Sequence, residues 1–255
     1  MRDGSTRASG LRDFSASDGA ILARLEPNAG GPMLLIFGAM AINDWAPFQL
    51  VETTAKLPAD KIYLRDLHRA WYQLGLPPYA QTIDEAAALL ADLILERNPR
   101  RVVSVGVSAG GFAALLFGHL LGVDETHAFS PRSYIDIDNR LSNDDFFMDD
   151  RLLEIYASPR AQPEYFDLRP LLCNANAGTM HYIHYAEERR LDLAHVAHLA
   201  GAPNVELLKY DRGGHRLARL LRDDGRLERI IAQAIAGTTG APDSEVTNIR
   251  NSAPV

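Results

Sequence analysis

Residues 101–121 read RVVSVGVSAGGFAALLFGHLL. Its beginning, 101–107, is a nearly continuous apolar run, as expected for a parallel strand that helices cover on both faces. A helix-forming run rich in Ala and Leu, 109–121, follows without a linker. Ser108 stands alone at the junction. The stretch therefore predicts a buried strand, a sharp turn at a serine, and a helix.

The junction carries the pattern G-x-S-x-G in the letters GVSAGG, residues 106–111. A sharp strand-to-helix turn holds its serine in a strained conformation and needs glycines nearby, because a Cβ there would strike the neighbouring strand or helix. This turn exposes the Ser108 hydroxyl above the end of the strand. The Ala109 amide, at the start of the helix, can stabilise negative charge on a reacting oxygen. A dinucleotide-binding loop would need glycine in place of Ser108. We interpret Ser108 as a nucleophile, with a glycine-rich packing turn as the alternative.

A serine nucleophile needs a base, and in enzymes with this turn the chain order is nucleophile, acid, histidine. The last strand candidate, 205–210 (VELLKY), is followed by DRGGH, which ends at His215. A histidine after a glycine pair, just beyond the last strand, stands where that order requires the base. Of the eight histidines we therefore select His215. A helix-capping role is the alternative.

The orienting acid should lie in the loop after the preceding strand candidate, within reach of the imidazole. That loop, AEERRLDLAH, offers Glu187, Glu188 and Asp192. Asp192 is preferred because it precedes the amphipathic run LAHVAHLA as a natural N-cap residue, although capping is also its purely structural interpretation. Glu188 is the second choice.

A second donor to a negatively charged oxygen is expected after the early central strand, in MLLIFGAM, residues 33–40. Gly38 permits a tight bend there, and the amide of Ala39 or Met40 can then face the reacting oxygen. We select Ala39 as this donor, together with Ala109. A simple strand-ending turn explains the segment equally well.

Short apolar runs alternate with amphipathic stretches along the chain, which predicts an α/β fold with a mostly parallel central sheet and helices on both faces. The strand candidates are 20–25, 33–37, 61–64, 101–107, 126–129, 180–185 and 205–210, and the helix candidates are 83–97, 109–121, 191–200 and 216–236. Residues 131–178 break this rhythm and are predicted to be a lid insertion in a domain of residues 20–236. The polar segments 1–19 and 237–255 are predicted to be flexible tails.

Together these segments resemble the α/β-hydrolase superfamily: FGAM its oxyanion loop, GVSAGG its nucleophile elbow, AEERRLD its acid loop and GGH its histidine loop. The resemblance covers about residues 20–236 and implies an eight-stranded, mostly parallel sheet, a Ser-His-acid triad and activity on esters, thioesters or related acyl groups. The family's usual histidine-glycine pair at the oxyanion loop is replaced by Phe37-Gly38. LRDLHRAWYQLGLP and AFSPRSYID are also loosely similar to hydrolase-like proteins associated with bacterial polysaccharide biosynthesis.

Composition and charge exclude several classes of protein. A net charge of −7 without a long Lys/Arg run gives no electrostatic footprint for nucleic acid. The single cysteine, Cys173, can form neither an internal disulfide nor a thiolate metal site alone. Residues 1–19 lack the apolar block of a signal peptide, and the most apolar stretch, 32–42, is shorter than the about 20 residues that cross a bilayer. We therefore expect a cytoplasmic protein without metal, cofactor or membrane insertion.

The sequence as a whole predicts a serine hydrolase that cleaves an ester or thioester bond of a small-molecule acyl substrate. Ser108, His215 and Asp192 form the predicted triad, and the reaction passes through a covalent acyl-enzyme. An acyltransferase with the same triad and a catalytically silent α/β-hydrolase-like scaffold are the alternatives. The substrate and the oligomeric state are left open.

Overall fold

The computed structural model describes Phe14 and residues 19–41, 46–174 and 178–238, together with the backbone of 246–249. These residues contain one sheet of eight strands in the order β1-β3-β2-β4-β5-β6-β7-β8. The strands are β1 (Ile21–Arg24), β2 (Pro32–Phe37), β3 (Asp60–Leu64), β4 (Arg101–Val107), β5 (Glu125–Phe129), β6 (Met180–Ala186), β7 (Val205–Tyr210) and β8 (Val246–Ile249). β1 pairs antiparallel with β3 and β8 antiparallel with β7, whereas the other neighbours are parallel. The expected mostly parallel sheet is confirmed.

Helices cover both faces of this sheet. The α-helices of the described residues are α1 (Val51–Thr54), α2 (Ile83–Arg97), α3 (Ala109–Leu121), α4 (Ile137–Ser142), α5 (Asp149–Tyr156), α6 (Leu168–Cys173), α7 (Arg190–Leu199), α8 (Leu217–Asp223) and α9 (Arg226–Ala236). None of them combines the length and the apolar character that a membrane span requires. Alternate residues of β2 join different cores: Met33 and Leu35 pack with α2 and α3, and Leu34 and Ile36 with α8 and α9. Burial on both faces explains why the central strands are continuous apolar runs.

The topology brings the predicted site residues to one edge of the sheet. β2, β4, β6 and β7 run parallel, so their carboxyl ends lie on the same side, where open α/β sheets bind ligands. The loops and helix starts that follow these strands carry Ala39, Ser108, Asp192 and His215. Residues scattered over most of the chain thus converge at this edge.

Some of the predicted boundaries are wrong. The single helix predicted over 216–236 is two helices, α8 and α9, because Gly225 takes a left-handed φ of 77° between them. The tail predicted over 237–255 contains β8, whose backbone pairs with β7 and thereby satisfies hydrogen-bonding groups that an edge strand leaves open. Phe14, in the other predicted tail, is buried with its ring centroid 4.7 Å from that of Tyr79. The rest of 1–18 lies outside the described residues.

The predicted insertion, 131–178, contains short helices joined by loops. It contains α4, α5 and α6, and its inner side joins the core through Leu152, Ile155 and Phe166. Between α4 and α5 the side chains of Phe146 and Phe147 are 59% and 47% exposed. Residues 175–177 lie outside the described part of the chain. The insertion thus has a buried base and an exposed aromatic tip.

Candidate active site

Ser108 occupies the turn between β4 and α3 with φ 54° and ψ −116°, a strained conformation for a residue with a side chain. Two close backbone approaches require glycine around it. A Cβ on Gly106 would lie 2.0 Å from the Gly110 carbonyl oxygen, and a Cβ on Gly110 would lie 2.2 Å from the Phe37 carbonyl oxygen. The Ser108 amide donates to the Phe129 carbonyl at 3.0 Å, which ties the turn to the neighbouring strand. The sharp turn predicted at Ser108 is present.

His215 lies in a short 3-10 turn, Gly214–Arg216, shortly after β7. Gly213 and Gly214 have positive φ values of 127° and 47°, which allow the chain to reverse there. The Nε2 atom of His215 lies 2.9 Å from Ser108 Oγ, although the two residues are 107 positions apart. The imidazole side chain is 31% exposed, so it is open to small molecules.

Asp192 lies on the other side of the imidazole. Its Oδ1 and Oδ2 atoms are 2.9 Å and 3.1 Å from His215 Nδ1, and the residue is only 4% exposed. The predicted N-cap position is wrong, because Arg189 is the N-cap of α7 and Asp192 lies inside the first turn. A carboxylate there is stabilised by the positive end of the helix dipole, and it points at the base instead of capping the helix.

Glu188, the second choice for the acid, lies beside the histidine turn but not on the imidazole. It is exposed, and its Oε2 atom is 3.2 Å from the place that a Cβ of Gly214 would occupy. Glu187 pairs with Lys209 at 2.7 Å. Of the three acids that the sequence offers, the structure thus brings Asp192 to His215.

The two amides predicted to donate to the oxyanion differ in their hydrogen bonds. Ala109 is the first residue of α3, where a backbone amide has no acceptor within its own helix. The Ala39 amide is already engaged, because it donates to the side-chain oxygen Oε1 of Gln49 at 3.1 Å. Sequence reasoning missed Gln49, which lies 10 positions from Ala39 and belongs to no motif.

A buried polar cluster beside the triad was also missed. The Arg132 guanidinium contacts Asp145 and lies 2.9 Å from His195 Nε2, and all three residues are at most 5% exposed. Burial raises the pKa of Asp145, but the hydrogen bond with His195 and the charge of Arg132 outweigh it and bring this pKa to about 2. The Arg132 amide donates to the Ser108 carbonyl at 3.3 Å. The cluster therefore joins the insertion to the turn at Ser108 and to α7. In the sequence, the one feature that could have indicated this cluster is the position of Arg132 three residues after the end of β5.

Two other histidines, His127 and His184, are buried and hydrogen-bonded within the sheet. His127 Nδ1 lies 3.0 Å from His184 Nε2, and His184 Nδ1 lies 2.9 Å from the Tyr210 hydroxyl, in a buried chain across β5, β6 and β7. The pKa of His184 is well below its ordinary value, mainly because the side chain is buried and to a smaller extent because His127 lies beside it. His184 is therefore neutral. Within the described residues, no group of three or more His, Cys, Asp or Glu side chains is arranged to hold a metal ion.

The geometry supports nucleophilic chemistry. The Ser108 hydroxyl can pass its proton to His215, whose other nitrogen faces a buried carboxylate. This order of nucleophile, base and orienting acid is the one that activates serine in acyl-transfer enzymes. The amide of Ala109 stands at the helix terminus where negative charge would develop.

Comparison with known proteins identifies the fold. No protein-family model matches the chain, and no curated protein matches it in sequence. Solved structures match over most of their length. A capsule O-acetyltransferase of Neisseria meningitidis serogroup A is 14% identical, with a TM-score of 0.60 over 84% of this chain and 90% of that chain.

Two further solved structures match with similar scores. A thermostable carboxylesterase from a metagenomic library is 16% identical, with a TM-score of 0.54 over 86% of this chain and 85% of that one. MenH from S. aureus is 12% identical, with a TM-score of 0.53 over 87% of this chain and 99% of that one. The chain has the fold of the α/β-hydrolase superfamily. At these identities the likeness concerns the fold, and the chemistry has to be argued from the site.

Proposed function

We propose that this protein is a serine hydrolase that cleaves an ester or thioester bond through Ser108, His215 and Asp192. One observation carries the proposal: the hydrogen-bonded series from Ser108 Oγ to His215 Nε2, and from His215 Nδ1 to the Asp192 carboxylate. Segments that follow three different strands, β4, β6 and β7, supply these groups. A packing turn at Ser108 would require no base and no buried acid behind it.

The acylation step follows from this order. Ser108 Oγ attacks the acyl carbonyl carbon while its proton moves to His215 Nε2, and the carbonyl π electrons move onto oxygen. The Ala109 amide, with the Ala39 amide, stabilises the resulting oxyanion. When the carbonyl re-forms, the bond to the leaving group breaks, and His215 returns the proton to that group. Asp192 stabilises the imidazolium that exists between the two proton transfers.

In the second half of the reaction, water repeats these steps and releases the acid. An acyltransferase would use an acceptor hydroxyl in place of water, with the same proton transfers. One observation favours this second candidate: the matching capsule enzyme of N. meningitidis is an O-acetyltransferase. The two candidate functions share the triad and the acylation step. They differ in the acceptor of the acyl group, water or a hydroxyl compound, and therefore in the product.

Labelling with a fluorophosphonate tests the proposal directly. Wild type should be labelled stoichiometrically, because the reagent reacts with an activated serine, and Ser108→Ala should not be labelled. A chain that stays unlabelled would instead be a silent scaffold. Product analysis with an acyl ester, with and without an added alcohol or sugar, then separates hydrolysis from transfer. Free acid alone supports hydrolysis, and an acylated acceptor supports transfer.

The role of the acid gives a prediction of its own. In Asp192→Asn we expect kcat to fall by about 10⁴-fold, because the neutral amide no longer stabilises the imidazolium and can select the wrong tautomer. Glu188→Gln is the matched control, since it makes the same change in an exposed neighbour, and we expect it to change kcat less than tenfold. Steady-state kinetics of both variants provide the measurement. A larger loss in Glu188→Gln would transfer the role to Glu188.

The proposal extends to the insertion, residues 131–178, as a lid that contacts the acyl chain. Arg132, its second residue, donates its backbone amide to the Ser108 carbonyl. The Phe147 ring lies 5.0 Å from the Arg132 guanidinium carbon and 6.4 Å, edge to face, from the Trp71 ring. The exposed aromatic tip therefore packs against the residue whose amide contacts the Ser108 carbonyl. These contacts support a lid whose apolar rings face a substrate.

The double variant Phe146→Ala with Phe147→Ala tests this lid. We expect its preference for long acyl chains over acetyl esters to shift by about tenfold, because apolar contact in a pocket discriminates by about that amount. Its melting temperature should fall only slightly, since both side chains are largely exposed and Phe147 loses one edge-to-face contact with Trp71. Leu95→Ala, at a 76% exposed position of α2, is the control. An unchanged substrate profile combined with early melting would make the segment part of the core and not a lid.

A further inference from the structure

The peptide unit between Gly38 and Ala39 is held from its carbonyl side. The hydroxyl of Tyr72 lies 3.0 Å from the Gly38 carbonyl oxygen and 3.1 Å from the Leu64 carbonyl oxygen. Tyr72 is fully buried and has a φ of 62°, which is unusual for an aromatic residue. Because the C=O and N–H of a planar trans peptide point in opposite directions, fixing the Gly38 oxygen also fixes the direction of the Ala39 N–H.

This peptide unit also lies against the helix that carries the other proposed donor. A Cβ on Gly110 would lie 2.7 Å from the Gly38 carbonyl oxygen, so the backbone of the two segments is in direct contact. Gly110 follows Ala109 in the first turn of α3. The Ala39 and Ala109 amides therefore belong to segments that are in contact. Two amides that donate to the same oxygen have to lie this close together.

The Ala39 amide is occupied by a side chain. Gln49 Oε1 accepts from the Ala39 N–H at 3.1 Å, and Gln49 Nε2 donates to the Ala39 carbonyl at 3.4 Å. Cγ and Cδ of Gln49 lie 3.7 Å and 3.8 Å from the place that a Cβ of Gly38 would take, so the side chain covers this backbone. Gln49 and Ala39 are both half-buried. One N–H makes one strong hydrogen bond, so Gln49 and a substrate oxygen compete for it.

We propose that Gln49 is an internal occupant of the oxyanion site, whose side-chain oxygen takes the Ala39 amide in the resting enzyme and leaves when the acyl group reacts. This inference rests on the proposed function. A neutral carboxamide is a weaker acceptor than an oxyanion, because charge-assisted hydrogen bonds are about twice as strong as neutral ones. A developing oxyanion therefore displaces Gln49 more readily than a ground-state carbonyl does. The contact keeps the Ala39 amide from a ground-state carbonyl, and it lowers the net stabilisation of the oxyanion by the free energy of the hydrogen bond that Gln49 gives up.

A boronic acid probes this competition at equilibrium. Ser108 Oγ adds to the trigonal boron of butylboronic acid, its proton passes to His215, and the boron becomes tetrahedral and negatively charged. One oxygen of this adduct then takes the place of the oxyanion. In Gln49→Leu we expect the boronate to bind about fivefold tighter, because one competing neutral hydrogen bond is gone. In Gln49→Glu we expect weaker binding, since a carboxylate holds the amide more strongly and repels the boronate.

Two further variants control for misfolding and for the chemical change itself. Gln49→Met removes the acceptor with an unbranched side chain and should match Gln49→Leu if the leucine variant folds poorly. Gln233→Leu makes the same chemical change on the exposed face of α9 and should leave boronate affinity unchanged. Weaker binding in both Gln49→Leu and Gln49→Met would overturn the inference, because Gln49 would then orient the amide. Unchanged binding in all Gln49 variants would overturn it too. If wild type neither binds boronate nor is labelled by fluorophosphonate, the proposed function itself fails.

Discussion

Ser108→Ala should lower kcat by about a millionfold, to the level that binding and the oxyanion donors sustain alone. The change removes one oxygen atom and the covalent route with it. It leaves Gly106 and Gly110 in place, and alanine meets the same backbone conformation as serine, so the fold should persist. Steady-state hydrolysis of a chromogenic ester, together with thermal unfolding of both proteins, measures the two effects separately.

Ser130→Ala is the instructive comparison for this variant. Ser130 follows the neighbouring strand β5, also has a positive φ, 43°, and is buried with its Oγ 3.2 Å from the Gly214 carbonyl oxygen. This hydrogen bond supports the histidine turn, so we expect a kcat loss of less than about tenfold, as for one neutral hydrogen bond. If Ser108→Ala retained most of the activity and Ser130→Ala lost it, the nucleophile would be misassigned.

His215→Ala should lower kcat by a similar factor, about a millionfold, because the nucleophile and base act as one unit and either loss disables both. The rate of fluorophosphonate labelling of Ser108 should fall with it, since the serine hydroxyl no longer has an acceptor for its proton. His198→Ala is the control. His198 Nε2 lies 2.6 Å from the Asp167 carboxylate and makes no hydrogen bond with Ser108, His215 or Asp192, so its loss should affect stability and leave kcat near wild type.

Added imidazole gives this prediction a second readout. The His215 side chain is 31% exposed, so a free imidazole can reach the space that His215→Ala opens. We expect it to restore part of the activity in a concentration-dependent way, and to have no such effect on Ser108→Ala. A His215→Ala variant that keeps a tenth or more of wild-type kcat would show that another group serves as the base.

Local patterns predicted much of the sheet and the turn at Ser108. Continuous apolar runs mark β2 and β4, since strands buried on both faces admit few polar residues. The glycines around Ser108 mark the turn because a Cβ at Gly106 or Gly110 would meet backbone atoms. The β8 pairing was missed because 246–249 carries no apolar pattern, and its stabilising contact is with β7. The division of the last helix depends on one backbone angle at Gly225.

The alternation of strands and helices, the strained serine turn and the candidate residues His215 and Asp192 could be read from the sequence. These follow from rules that act within a few residues: side-chain periodicity, glycine conformations and the order of loops along the chain. Which acid meets the base depends on the fold, since Asp192 and His215 are 23 positions apart and Glu188 lies only four residues before Asp192. Likewise only the fold brings Gln49 to the Ala39 amide. Such pairings depend on how distant loops meet at the sheet edge, and no local pattern carries that information.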